Sequence, residues 1–230
     1  MSNPKTQDGL DVSIRHGGAN LDGELTVPTD ARATVVFVQG AGTDRRTPRN
    51  VLVASELNGA GFATLLFDVL TPAEAAEDAR SAQYRFAIDL MAGRVGAAVD
   101  FVAHHQQTAG MPIGLYGVGS GAAAVLAAAA DRPGVVGAIV SRGGRTEMAW
   151  SHLARVAVPT LFLVGEYDTR VTLLNQMAAK VVTAEARIEV VPGAGHLFEE
   201  VGALDAVATL TIQWFQKHLG RVPAGSGAGG

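Results

Sequence analysis

The chain carries Gly117-Val118-Gly119-Ser120-Gly121 between an apolar run and an alanine-rich stretch. This is the G-x-S-x-G frame of a nucleophile elbow, a sharp strand-to-helix turn that lifts an attacking side chain off a sheet. Gly119 stands at the attacking position and supplies no hydroxyl. Further along, Asp168 ends Gly165-Glu166-Tyr167-Asp168, and His196 lies in Pro192-Gly193-Ala194-Gly195-His196-Leu197-Phe198. An acid that orients an imidazole, and an imidazole that takes a proton, are the other two parts of such a device. Taken alone, each has a plainer explanation: an Asp after a strand is usually a turn or cap residue, and a lone His is usually structural. The order nucleophile slot, acid, base, each after a different strand, is much more specific.

Gln39-Gly40-Ala41-Gly42-Thr43-Asp44-Arg45-Arg46 follows an earlier apolar run. Its glycine-flanked backbone can turn N–H groups toward a developing oxyanion, although a plain tight turn would use the same residues. The main-chain N–H of Ser120 is the matching second donor, while the Ser120 side chain should point away from the slot and suits a helix N-cap. The letters Gly117-x-Gly119-x-x-Ala122 also fit the dinucleotide fingerprint G-x-G-x-x-G/A, and Arg142 after the next strand would suit a 2′-phosphate. That NADP-binding Rossmann reading leaves Asp168 and His196 without a role. The remaining histidines, His16, His104, His105, His152 and His218, form no ligand spacing, so no metal or other cofactor is expected.

These residues need a scaffold to position them. Two strands with alternating apolar residues, Asp11 to Arg15 and Leu21 to Val27, open the chain. Short buried-strand runs follow at Thr34–Val38, Ala63–Phe67, Ile113–Tyr116, Val135–Val140, Thr160–Val164 and Ile188–Val191. Helical patterns separate them at about 49–59, 84–106, 120–131, 172–181 and 203–218. Phe86, Leu90, Ala97 and Phe101 mark the expected core stripe of the second of these. Thr71-Pro72 signals the start of a short acidic helix through Ala79. Alternating strands and helices predict an α/β fold, a mostly parallel eight-stranded sheet with helices on both faces. Ligands then bind beyond the carboxyl ends of the strands, where all the loops above lie.

Bulk properties narrow the field. The 230 residues suit one domain over 1–220, followed by a flexible Gly/Ala/Ser tail over 221–230. A net charge of −4 argues against nucleic acid and anionic membranes as partners, and the absence of cysteine removes disulfides and a thiol nucleophile. The uncharged stretch from Gln106 to Ala130 is broken by Pro112 and several glycines, so no membrane span is expected. The polar opening MSNPKTQDGL signals no secretion, which makes a cytoplasmic setting the expectation.

The chain resembles the dienelactone hydrolase-like branch of the α/β-hydrolase superfamily, especially small bacterial hydrolase domains. The likeness spans about residues 11–218. It rests on the Gln39-Gly40-Ala41-Gly42 turn, Pro48-Arg49-Asn50, Asp68-Val69-Leu70-Thr71, the elbow, Ser141-Arg142-Gly143-Gly144-Arg145, Gly165-Glu166-Tyr167-Asp168-Thr169 and Gly193-Ala194-Gly195-His196-Leu197-Phe198-Glu199-Glu200. The resemblance implies a cofactor-free hydrolase of small ester, lactone or thioester substrates, with little or no lid. It makes Asp168 the acid, His196 the base, and the Ala41 and Ser120 N–H groups the oxyanion hole. Gln39 replaces a frequent histidine of the pattern, and Gly119 replaces its serine. Gly119 has three readings: an inactivated form that holds substrate, a site where the Asp168–His196 pair activates a water, or a catalytically silent small-molecule binding protein. Arg45 and Arg142 are candidates for binding substrate, and self-association is left open.

Overall fold

The computed structural model describes residues 9–40 and 42–220. The expected tail from Arg221, residues 1–8 and Ala41 lie outside the described residues. Eight strands, β1 (Leu10–His16), β2 (Ala19–Thr26), β3 (Ala33–Val38), β4 (Phe62–Phe67), β5 (Ile113–Val118), β6 (Val136–Arg142), β7 (Thr160–Gly165) and β8 (Ala186–Val191), form one sheet. The order across it is β1-β2-β4-β3-β5-β6-β7-β8. The β1–β2 and β2–β4 pairs are antiparallel, and every later pair is parallel. The expected α/β-hydrolase architecture, with helices on both faces, is therefore the observed one.

Among the described residues there are seven α-helices, α1 (Pro48–Gly59), α2 (Pro72–Ser81), α3 (Ile88–His104), α4 (Ser120–Asp131), α5 (Trp150–Leu153), α6 (Thr169–Val181) and α7 (Ala203–Leu219), of which α1, α3, α4, α6 and α7 pack on the sheet. Strand alternation sends successive side chains to opposite faces, and each face has its own core. In β3, Val36 and Val38 pack with α3 and α4, whereas Val35 and Phe37 pack with α1 and α7. In β4, Leu65 and Phe67 join the first core and Leu66 the second. α4 is buried from Gly121 through Ala130. Its alanines let it press closely against both the sheet and α3, which larger side chains would prevent.

One expected stripe is corrected by the structure. Phe86 is exposed, α3 begins at Ile88, and its buried face is Met91, Val95, Ala98, Val99 and Val102, with Ala97 and Phe101 of the expected stripe packed partly buried against that core. The cause is local. The buried Asp78 carboxylate accepts hydrogen bonds from the Tyr84 and Arg85 amides, both at 2.8 Å, and from Arg85 Nε at 3.0 Å. Those amides are thereby held in a turn that wraps the end of α2, so the helix cannot start there. The acidic helix predicted after Thr71 does form, with a complete capping box: the Glu74 amide donates to Thr71 Oγ1, and the Thr71 amide to Glu74 Oε2.

The chain direction decides where a site can be. From β3 the path runs through α1 to β4 on one side, then returns to place β5 on the other side of β3. This reversal leaves a crevice between the loops after β3 and β5, as in other open parallel sheets.

Candidate active site

β5 ends at Val118 and α4 begins at Ser120, so Gly119 makes the whole turn, at φ +56° and ψ −122°. A residue with a Cβ is strained in that region, and a glycine is not. A methyl group built on Gly119 would meet nothing within 4 Å, so the space above the turn is open. Its neighbours are not so free. A methyl on Gly117 would stand 2.6 Å from Ala122 Cα, and one on Gly121 would stand 2.3 Å from the Val38 carbonyl oxygen. Gly117 of the dinucleotide-like pattern and Gly121 of the elbow are thus required by the packing of β3, β5 and α4 against each other, without any nucleotide.

Ser120 opens α4 and is turned against the loop after β3: a methyl on Gly40 would lie 3.3 Å from Ser120 Oγ and 3.5 Å from Ser120 N. The positive end of the α4 dipole, with its first N–H groups, therefore faces the crevice. Ala41, the other expected donor, lies outside the described residues.

Asp168 caps α6 at the end of the loop after β7, with its amide bonded to the Gly165 carbonyl at 3.0 Å. His196 Nδ1 donates to Asp168 Oδ2 across 2.5 Å. The imidazole is half-exposed while the carboxylate is 15% exposed, so the acid is the sheltered partner. The loop carrying His196 is tied down on both sides. The Tyr167 amide donates to the Ala194 carbonyl, the Gly195 amide to Glu200 Oε1, and Phe198 is buried beneath it at φ +54°. Gly143, just after β6, lets the ring lie close: a methyl there would be 3.5 Å from His196 Cε1. With Nδ1 held by the acid, Nε2 is the nitrogen left for proton transfer.

Gly40, Gly119, Arg142, Gly143 and His196 share the wall of one cavity of about 160 Å³. The structure thus brings Gly119, His196 and, through His196, Asp168 to one place. Arg142 is in that wall; Arg45 is not. The Arg45 guanidinium is paired with Asp68, whose Oδ1 also takes the Arg45 amide at 2.7 Å. Gln39 is likewise turned inward, donating to the Phe67 carbonyl at 2.9 Å and to Asp68 at 3.1 Å. Arg49 reaches the cavity rim, where it pairs with Glu199 at 2.6 Å.

The sequence reading gave Asn50 no role. It is buried in α1, lines the cavity, and accepts a hydrogen bond from Arg142 Nη2 at 3.0 Å. A signal was present: Asn50, Val53, Ala54 and Leu57 are the buried face of α1 at helical spacing, and a polar residue on that stripe calls for a partner. Beneath the guanidinium is Tyr116, fully buried; burial pushes its phenol above the usual range, and the Arg142 charge pulls the other way. No group of three or more His, Asp or Glu that could hold a metal occurs among the described residues. No helix of the described chain is long and apolar enough to cross a membrane.

Comparison with known proteins agrees with this fold. The model of the dienelactone hydrolase family matches residues 21–218. A crystal structure of dienelactone hydrolase from Anabaena variabilis superposes with a TM-score of 0.89 at 42% identity, covering 93% of this chain and all of that one. Est1E from Butyrivibrio proteoclasticus shares the fold at 16% identity, with a TM-score of 0.75 over 92% of this chain and 99% of that one. Two Mycobacterium tuberculosis proteins that carry the provisional name phosphoribosyl transferase are 45% identical over 216 residues, which is 94% of this chain and 48% of theirs. The chain spans about half the length of these curated relatives. With the family model covering most of its length and the sheet order just described, the chain belongs to the dienelactone hydrolase family of α/β-hydrolase-fold proteins.

Proposed function

We propose that the protein is a cofactor-free hydrolase of small ester, lactone or thioester substrates, in which Asp168 and His196 activate a water over Gly119. The observation that carries this reading is the 2.5 Å contact between His196 and Asp168 at the wall of the cavity that also holds Gly119. In this mechanism His196 Nε2 takes a proton from the water as its oxygen bonds to the substrate carbonyl carbon. The resulting oxyanion is held by main-chain N–H groups at the start of α4, Ser120 foremost, and Ala41 is the second donor of the proposal. Collapse breaks the bond to the leaving group, which receives the proton from the imidazolium. Asp168 keeps Nδ1 protonated and stabilises the transient positive ring. General-base assistance of this kind is worth roughly 10²–10⁴-fold. The longer relatives' name belongs to those proteins, and this reading takes nothing from it.

The test compares the protein with His196→Ala and Gly119→Ser on p-nitrophenyl acetate, p-nitrophenyl butyrate and a γ-lactone. The native chain should turn over slowly without a burst, and His196→Ala should remove that activity. Gly119→Ser should show a burst of p-nitrophenol and a rate higher on the order of 10³-fold, because a serine there completes the triad. Equal rates for the native chain and His196→Ala, with no burst in a folded Gly119→Ser, would refute the proposal. The second reading, a silent binding protein, is favoured by Arg142 in the cavity wall, which is bonded to the neutral Asn50 and has no carboxylate partner among the described residues. It requires ligand affinity unchanged in His196→Ala and turnover in neither protein.

A further inference from the structure

A second cavity, of about 380 Å³, opens between α2 and the loop after β3. It has more than twice the volume of the one that holds Gly119 and His196, about 160 Å³, and Thr43 stands in the wall of both. Small-molecule sites run from about 300 Å³ upward, so the cavity over Gly119 alone holds little more than a short acyl group. Val69 and Leu70, both buried, and Pro72, Ala75 and Ala79 make the apolar side of the second cavity. The last three recur at helical spacing on an exposed face of α2, a helix that buries only Asp78. No lysine, arginine or histidine stands in the wall, which carries three carboxylates, Asp22, Asp44 and Asp68. Asp68 is neutralised by Arg45, which lies outside that wall. Asp44 accepts the Arg46 amide at 3.0 Å, and neither Asp44 nor Asp22 has an ion-pair partner among the described residues.

We propose that this second cavity is a subsite for an apolar group that carries a cationic ammonium, the alcohol half of an amino-alcohol ester. Its place as the leaving-group subsite rests on the reading of the Gly119 cavity as a hydrolytic site; its preference for a cation does not. The cavity makes the site, and the carboxylates set its sign. An alkyl chain covers Val69, Leu70 and the small face of α2, where each methylene removed from water is favourable. The ammonium stands by Asp22 and Asp44, whose charges nothing else in the wall offsets, whereas a carboxylate there is repelled. Both acids are exposed, so the electrostatic share is modest, about threefold to tenfold in affinity, and is screened by salt. The small side chains of Ala75 and Ala79 keep the groove open, and a large residue at either position would close it. An ester that passes Thr43 has its acyl group beside Gly119 and its ammonium in the second cavity.

The test reads binding before turnover. The full chain is titrated by calorimetry with hexyltrimethylammonium, 1-hexanol and hexanoate. At low salt the ammonium should bind about threefold to tenfold tighter than hexanol, with hexanoate the weakest, and high salt should shrink the preference. In the double variant Asp22→Asn, Asp44→Asn the ammonium should fall to the affinity of hexanol. Ala75→Phe, on an exposed helix face, should weaken both at least about fivefold without lowering the melting temperature. Equal affinity for ammonium and hexanol in the native chain would overturn the proposal. So would a cation preference that survives in the double variant, or no binding of either probe. A dimer that Ala75→Phe dissolves would assign the groove to a second copy and overturn it too. Choline butyrate and its uncharged isostere 3,3-dimethylbutyl butyrate then test the connection to Gly119. The native chain should favour the choline ester in kcat/KM by a similar factor, and the double variant should not; equal rates in the native chain would refute the leaving-group role. Ammonium binding without hydrolysis of either ester would sink the water mechanism and leave the cation subsite standing.

Discussion

Gly119 occupies a backbone conformation that suits it and would strain any side chain, at a point where a side chain has unobstructed space. The elbow keeps its geometry with glycine in the slot, so the strain ordinarily held there is absent. Gly119→Ser should therefore cost stability, about 1–2 kcal/mol for a non-glycine residue at φ +56°. This should lower the melting point by about 3–6 °C in a domain of this size, as calorimetry would show. Gly121 has no such latitude. A methyl there would meet the Val38 oxygen at 2.3 Å, and Gly121→Ala should destabilise by more than about 3 kcal/mol in urea titrations. Asp168→Asn, in the Gly119→Ser background, should lower turnover by roughly 10³–10⁴-fold while leaving folding nearly unchanged. A loss under tenfold would remove Asp168 from the mechanism.

Among the elements, α2 and α3 are joined through one ion pair that also builds the cap of α2. Arg94 holds the Glu74 carboxylate at 2.6 and 2.8 Å, and the same carboxylate receives the Thr71 amide. The Arg94 guanidinium first, then the Thr71 donors, depress the Glu74 pKa from 4.5 to about 2, against the opposing effect of burial. A carboxylate depressed in the folded state stabilises fully above its unfolded value and loses that contribution as pH falls through its folded one. The pair should thus contribute about 2–3 kcal/mol near neutrality, lost progressively between about pH 4.5 and pH 2. Urea titrations across that range should show the loss, and Glu74→Gln should flatten it. At pH 7 the same substitution should cost about 3 kcal/mol, because it leaves Arg94 buried and unpaired.

For the molecule as a whole, the two cores are separated by the sheet and stabilise it from opposite faces. Phe162 on β7 is completely buried in the core under α3 and α4, and its neighbours Leu161 and Leu163 are in the other. Phe162→Ala should cost about 3–5 kcal/mol by opening a cavity that a close-packed interior cannot collapse. A chevron or urea titration would measure it, and a cost below about 1 kcal/mol would mean that the packing is looser than described. The loops that carry Gly119, Asp168 and His196 all rise from the carboxyl ends of these braced strands, which is what lets short loops hold the three residues in register.

Much of this was legible in the chain itself. Buried-strand runs, the Thr71-Pro72 helix start and the strict small residues around Gly119 are local signals, set by φ/ψ preference, capping and side-chain period, and they survive folding because neighbours along the chain stay neighbours. The start of α3 was misjudged because the Asp78 carboxylate, six residues back, captured two amides that the apolar pattern had assigned to a helix. Contacts made across the switch in strand order were not legible. The pairing of Asp168 with His196, 28 residues away, follows from the sequential neighbours β7 and β8 and was anticipated, whereas the reversal between β4 and β5 is what brings Arg142 to Asn50, 92 away. The sequence determined which groups exist and which elements carry them. The tertiary structure decided that Arg45 is spent on Asp68 while Arg142 meets only the neutral Asn50 at the cavity wall, because a charge's partner is settled by packing in space and not by order along the chain.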